Sequence, residues 1–512
     1  MANVRCPAGT MLALLLFLIC SSVTPTALGY VYELSNFSRS GFPPGFLFGA
    51  ASAAYQYEGA AFEDGKGPSI WDNFTHRYPE KILDRSNGDV AMDFYHRYKG
   101  DVKIMKYLGL DVFRMSISWP RILPRGSLSG GVNQKGIDYY RNVFKELIAN
   151  GVTPFVTLFH WDLPQELEDQ YRGFLSPLIV NDYRDYVELC FKEFGDLVKY
   201  WLTVNEPFSF TDGGYDGGFI GHLAPYRCSP WANCPQGNSA TEPYIVGHHL
   251  LLCHAEAVKV YKEKFQASQK GKIGIALVTH WFTPYSNSIA DVRAAKRVTD
   301  FIFGWFTDPV VHGDYPKVMR SILGNRLPNF TDEQRKYLKG SFDFLGVNYY
   351  TGNYASYSPS NAINVSSNTD YMAKLTTSKN GVPIGQPTGV GSFFVYPEGL
   401  RKLLVYVKDN YNNPTIYITE NGIGDQDKGT IEESVTDPQR IDFYNRHLKA
   451  VQEAIGEGVK VKGFLAWSFM DCYEWNSGYT MKFGICHVDF KNNLTRTVKK
   501  SGIWFKNSLH NK

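Results

Sequence analysis

Short apolar runs rich in β-branched residues recur along the whole chain, and amphipathic stretches separate them. Eight runs read as buried strands: 46–51, 112–118, 153–159, 198–204, 272–278, 342–348, 415–419 and 462–467. Between several of them, over 93–108, 134–150 and 182–194, apolar residues return every third or fourth position. That spacing places one apolar stripe on a helix. Strands alternating with helices predict an α/β protein with a parallel sheet, and eight such units predict a single (β/α)8 TIM barrel with elaborated βα loops. A doubly wound open sheet shows the same alternation and is the other reading. No Gly-rich phosphate fingerprint follows the first run, which weighs against its nucleotide-binding form.

A barrel collects its chemistry at the C-terminal ends of its strands. Gln56 follows the first run, Arg114 lies in the second, and His160-Trp161 ends the third. Asn205-Glu206 ends the fourth, His280-Trp281 the fifth and Asn348-Tyr349-Tyr350 the sixth. Glu420 ends the seventh and Trp467 the eighth. Capping of a strand end explains any one of these residues, but not all of them together.

The chain has 512 residues, enough for several domains. Barrels of ~250 residues, and larger ones with insertions, are nevertheless single domains. No Pro/Ser/Gly-rich linker or charge run divides the chain, so 30–512 is expected to be one catalytic domain. Residues 1–29 read as a secretory signal peptide. Arg5 precedes the apolar run 11–20, and Ala27 and Gly29 are placed for cleavage before Tyr30. The run falls short of the ~20 residues a membrane span needs, an uncleaved anchor being the other reading. The expected location is the secretory pathway, then the cell wall or other extracellular space, or the vacuole, with no membrane association after cleavage. Residues 508–512 carry no ER-retention signal. The net charge of +3 is mild and no stretch concentrates Lys and Arg, so nucleic acid is not an expected partner. Oligomeric state is not legible in these residues. Aromatic content is 15%, and rings at the strand ends suit the apolar faces of sugars.

A glutamate at a strand end is, taken singly, more often a solvated end or an ion-pair partner. Two at matched strand ends are what glycoside hydrolysis requires, one to donate a proton and one to attack or to activate water. The runs Leu202-Thr203-Val204-Asn205-Glu206-Pro207 and Tyr417-Ile418-Thr419-Glu420-Asn421-Gly422 match the T-x-N-E-P and I-T-E-N-G motifs of glycoside hydrolase family 1. From about Phe42 to about Phe505 the chain resembles a plant β-glucosidase of that family.

The resemblance implies a retaining enzyme that hydrolyses O-linked β-glucosides of plant secondary metabolites through a covalent glycosyl-enzyme. Glu206 would be the general acid/base and Glu420 the nucleophile. The residues themselves agree with that division. Arg114 is a counter-cation for Glu420, Tyr350 a hydrogen-bond donor to it, and Asn348 a further support at the neighbouring strand end. Glu206 needs a proton near neutral pH, which a dry aromatic pocket and an ionised Glu420 would supply. Retention predicts a carboxyl separation of ~5–5.5 Å. Asn205 would bind the sugar 2-hydroxyl, and Gln56, His160 and Glu474 the remaining ones. Trp467 would stack under the ring and Trp475 bound the pocket. A lone His or Gln is ordinarily structural; the shared rim position favours binding. Glu474 would repel a 6-phosphate, so an unphosphorylated glycoside is expected. Myrosinase-like members lack the acid glutamate, and its presence here favours O-glycosides.

One loop departs from the family pattern. Many plant relatives carry a Trp shortly before the Tyr-Pro-Glu-Gly run at 396–399, and here Ser392 or Phe393 stands in its approximate place. Enzymes resembling β-primeverosidases share the departure, so a disaccharide-releasing diglycosidase is an alternative. A transglycosidase would use the same residues. A non-catalytic sugar-binding or storage protein would be expected to lose a carboxylate, and both are present. Cys228 and Cys234 bracket a tight loop and correspond to a bridge in related plant enzymes, so they are the expected disulfide. Cys190, Cys253, Cys472 and Cys486 are expected free and buried. No C-x-x-C pair or His cluster occurs, so neither metal nor other cofactor is expected. Glycosylation sequons occur at Asn36, Asn73, Asn329, Asn364 and Asn493.

Overall fold

The computed structural model describes residues 37–218, 221–359, 363–427 and 429–510. The proposed signal segment and Asn36 lie outside them. Eight strands form the sheet: β1 (Leu47–Ala51), β2 (Val112–Ser116), β3 (Thr153–Phe159), β4 (Tyr200–Asn205), β5 (Lys272–Val278), β6 (Phe344–Asn348), β7 (Ile416–Asn421) and β8 (Val461–Ala466). Each pairs in parallel with the next, and β1 also pairs with β8, which closes the barrel and excludes the open sheet. Every predicted run is a barrel strand, with ends displaced by up to two residues. β6 begins at Phe344 rather than 342 because the Asp343 carboxylate accepts hydrogen bonds from Ile273 N at 2.9 Å and Gln266 Nε2 at 2.7 Å. Such local side-chain bonds compete with the strand ladder.

The predicted helices are α1 (Phe94–Leu108), α2 (Gln134–Ala149) and α3 (Ile179–Phe194). α2 buries Tyr140, Val143, Phe144 and Leu147, the apolar stripe read from the spacing. α1 stops at Gly109, whose left-handed backbone (φ 73°) lets its N–H reach back to the Lys106 carbonyl. The lower barrel is filled by rings: Phe155 stacks on Tyr200 with centroids 5.1 Å apart, and Phe344 meets Tyr417 edge-on at 5.1 Å. Such pairs add about 0.5–1.5 kcal/mol each beyond area burial.

Loops after β5 and β6 build a small sheet from Trp281–Pro284, Gly352–Tyr357 and Ala373–Thr376. In the loop after β4, Cys228 is disulfide-bonded to Cys234; Cys190, Cys253, Cys472 and Cys486 are free and buried. His222 lies beside that bridge. Its two sulfurs are bonded to each other and offer no thiolate to a metal. Among the described residues no helix is long and apolar enough to cross a membrane. Asn73, Asn329 and Asn493 are exposed and Asn364 is half-buried.

Candidate active site

The ladder is irregular at the two strand ends that carry the glutamates. Register shifts fall between Leu202 and Asn205 of β4, and between Ile418 and Glu420 of β7. Irregularities of this kind re-aim side chains beside active sites. Glu206 follows β4 with a left-handed backbone (φ 42°) and starts the helix α4 (Pro207–Tyr215). Pro207 disfavours the right-handed helical conformation at the residue before it, so the chain turns sharply there. After Glu420, Asn421 donates through Nδ2 to the Tyr349 carbonyl at 2.6 Å. A Cβ on Gly422 would lie 1.8 Å from the Trp467 carbonyl, so only glycine fits.

The two carboxylates have different surroundings. Glu420 Oε1 receives Arg114 Nη1 at 2.5 Å and Oε2 receives the Tyr350 hydroxyl at 2.6 Å. Arg114 is wholly buried and also donates from Nη2 to Asn205 Oδ1 at 2.6 Å. Glu206 Oε1 receives Asn348 Nδ2 at 2.6 Å, and Oε2 receives Ser209 Oγ at 2.7 Å. Among the described residues no cation forms an ion pair with it. Burial and the negative Glu420 push the Glu206 carboxyl up to about 8. The same two causes push Glu474 up to about 8. Burial, aided by Arg114, holds His160 well below the usual imidazole range, so it is neutral.

One connected chain of hydrogen bonds links the acids: Glu420, Arg114, Asn205, Asn348 and Glu206. Asn348 departs from the sequence expectation, because its amide reaches Glu206 rather than Glu420. Its Oδ1 is held by Thr419 Oγ1 at 2.6 Å, which turns Nδ2 toward β4. Asn205 Nδ2 donates to His160 Nε2 at 3.0 Å, so the His160 proton sits on Nδ1.

The cavity at this rim is lined by Glu206 and Glu420 together with His160, Asn205, Tyr350, Trp467, Glu474 and Trp475, residues the sequence reading singled out. Gln56 lies beside Glu474, wholly buried, with Nε2 bonded to the Tyr473 carbonyl at 2.8 Å and to Glu474 Oε2 at 3.3 Å. Its Oε1 has no protein partner. Trp475 packs on Trp161 at 4.6 Å and Trp71 at 4.6 Å, which fixes one wall. In the departing loop Ser392 is exposed, whereas Phe393 turns inward, stacks on Tyr350 at 5.7 Å and lines the cavity. A phenyl ring therefore stands in the approximate place of the Trp that many plant relatives carry. No lysine or arginine is among the lining residues, so a phosphate would meet no counter-charge.

Sequence reasoning missed Ser209, Phe208, Leu223, Ile302, Val390 and Met481 as lining residues. Ser209 had a signal, three positions after Glu206 on one helix face. Leu223 and Val390 come from long loops, and no local pattern points them inward.

A (β/α)8 barrel with two unlike buried glutamates at the ends of β4 and β7 defines a glycosidase. Residues 38–512 match the Glycosyl hydrolase family 1 profile. β-Glucosidase 12 of rice (Oryza sativa subsp. indica) is 55% identical over 508 residues, 98% of each chain. Furcatin hydrolase of Viburnum furcatum is 55% identical over 478 residues, 93% of this chain and 88% of that one. A rice Os3BGlu6 β-glucosidase has a similar structure, with a TM-score of 0.90 and 46% identity over 92% of this chain and 99% of that one. The same rice enzyme is known as a Glu-to-Gln mutant in a covalent complex with Glc. The chain belongs to glycosyl hydrolase family 1. Its activity is that of a β-glucosidase hydrolysing β-glucosides with retention, the reaction typical of that family.

Proposed function

We propose that Glu420 is the nucleophile, that Glu206 is the general acid/base, and that the substrate is an unphosphorylated β-glucoside with an apolar aglycone. The unlike surroundings of the two carboxyls carry the assignment. Arg114 and Tyr350 both donate to Glu420, whereas among the described residues no cation pairs with Glu206, whose pKa is raised. In the first step a Glu420 oxygen bonds to the anomeric carbon as the bond to the aglycone oxygen breaks, and Glu206 protonates that oxygen. In the second step Glu206 takes a proton from water, whose oxygen displaces Glu420. Asn205, His160, Gln56 and Glu474 are the groups for the sugar hydroxyls, and Trp467 the platform beneath the ring. Phe208, Leu223, Ile302, Val390 and Phe393 suit an aromatic or terpenoid leaving group.

Release of a whole disaccharide is the second reading. Asn476 and Ser477 favour it, being polar residues of the cavity lining, with Asn476 Oδ1 buried and unpartnered among the described residues. One aglycone offered as its β-glucoside and as its β-primeveroside separates the two. The expected result is glucose from the first and no reaction with the second; intact disaccharide from the second would reverse that conclusion. We further propose secretory entry, with the mature catalytic domain beginning at Tyr30. N-terminal sequencing and a mass loss on deglycosylation are expected. A protein purified from plant tissue that kept residues 1–29 and bore no glycan would remove this proposal.

A further inference from the structure

Among the described residues, the side-chain hydrogen bonds to the Glu206 carboxyl come from Asn348 and Ser209. They are chemically unlike, and the network fixes which is which. Arg114 has donors only, so the Asn205 atom 2.6 Å from its Nη2 is an oxygen. The Asn348 atom 3.1 Å from that same oxygen is then an NH2 group, and so is the atom 2.6 Å from Glu206 Oε1. Oε1 therefore always faces an N–H. A proton on that oxygen would oppose another donor, so the acid proton resides on Oε2.

Oε2 faces Ser209 Oγ at 2.7 Å. A hydroxyl can accept from a protonated oxygen and, after rotating, donate to an ionised one. Ser209 is buried in the first turn of α4, three residues past Glu206, so its reach is set by the same turn that places the acid.

We propose that Ser209 is a positioning residue that follows the proton of Glu206 through both chemical steps. In the free enzyme its Oγ accepts a hydrogen bond from the Oε2–H, and when substrate arrives that hydrogen bond is released as Glu206 passes the proton to the glycosidic oxygen. Once the aglycone has left with the proton, the hydroxyl donates to the ionised Oε2. The carboxylate is thereby held while it takes a proton from the water that displaces Glu420. The inference rests on Glu206 being the acid/base. The other titratable or charged groups about the carboxyl are Arg114 of β2, His160 after β3, His280 after β5, Tyr350 after β6, Glu420 of β7 and Glu474 after β8. None offers Oε2 a hydrogen bond.

The test compares Ser209→Thr with Ser209→Val, a pair of nearly equal shape that differs in the hydroxyl, with Ser209→Ala as a smaller substitute should valine not fold. Donation to the ionised form lowers a pKa, so losing it raises the pKa. The basic limb of kcat/KM should move about 1 unit to higher pH in the valine variant, since a hydrogen bond to a charged group corresponds to roughly 10- to 100-fold. With an activated aryl β-glucoside chosen so that a burst of released phenol shows the second step to limit turnover, kcat should fall by a similar factor, and threonine should restore both. Merely structural damage would lower yield or thermal stability without moving the limb. Superimposable profiles for the threonine and valine variants would overturn the inference. Glu206→Gln assayed with azide in the same preparation separates the two levels. Absence of azide rescue would remove the assignment of Glu206 itself. Rescue together with coincident Ser209 profiles would remove only the role of Ser209.

Discussion

Glu420→Gln should abolish hydrolysis of β-glucosides, lowering kcat by roughly 10⁴- to 10⁶-fold, the scale seen when a covalent nucleophile is removed. The amide keeps the shape of the carboxyl but cannot form the glycosyl ester. It can still receive the Tyr350 hydroxyl, so the fold has little reason to fail, although Arg114 loses the partner of its 2.5 Å ion pair. That buried guanidinium is also tied to Thr419, Thr157 and Asn205, which hold it in place. Loss of the negative charge has a second consequence at Glu206. Glu420 is one of the two causes that raise its carboxyl to about 8, so the Glu206 pKa should fall in the variant. A 2-fluoroglucoside inactivator with a good leaving group should label residue 420 of the unmodified enzyme and leave the variant unlabelled, as read by peptide mass spectrometry. Label on another carboxylate, or a variant keeping a tenth of its activity, would sink the assignment.

The barrel was legible because each strand is buried on both faces and flanked by helices of 3.6-residue period, so period and length coincide with the tertiary answer. The paired glutamates were legible because strand ends in this fold share one rim. What lay beyond reading was direction. Asn348 stands at the right place, but only the bond from Thr419 Oγ1 turns its amide to Glu206 instead of Glu420. Phe393 and Ser392 were indistinguishable as the residue replacing a missing Trp, because a loop has no periodicity to say which one faces in. Leu223 and Val390 reach the cavity from loops, 17 positions after Glu206 and 30 before Glu420, and their inward placement depends on contacts that no local pattern encodes.

Glu206→Gln should discriminate among leaving groups as no change elsewhere in the site would. A positioned general acid contributes roughly 10²- to 10⁴-fold. That loss should appear in full for alkyl glucosides, whose departing alkoxide needs a proton, and hardly at all in the first step of a dinitrophenyl glucoside. With the latter the glycosyl-enzyme still forms but then persists, because no base remains to activate water, and KM should fall together with kcat. Azide needs no base and can enter the face left by the aglycone, so it should restore turnover and yield the β-glucosyl azide, the substrate's own configuration after two inversions. The basic limb that Glu206 imposes near pH 8 should vanish from kcat/KM for activated substrates. Below that pH the carboxyl of the unmodified free enzyme holds its proton and works as an acid; above it the proton is lost and the first step fails. If rates fell equally for alkyl and dinitrophenyl glucosides and azide had no effect, Glu206 would be a binding group. The acid would then have to be sought at Glu474, the other carboxyl in the cavity that is raised to about 8.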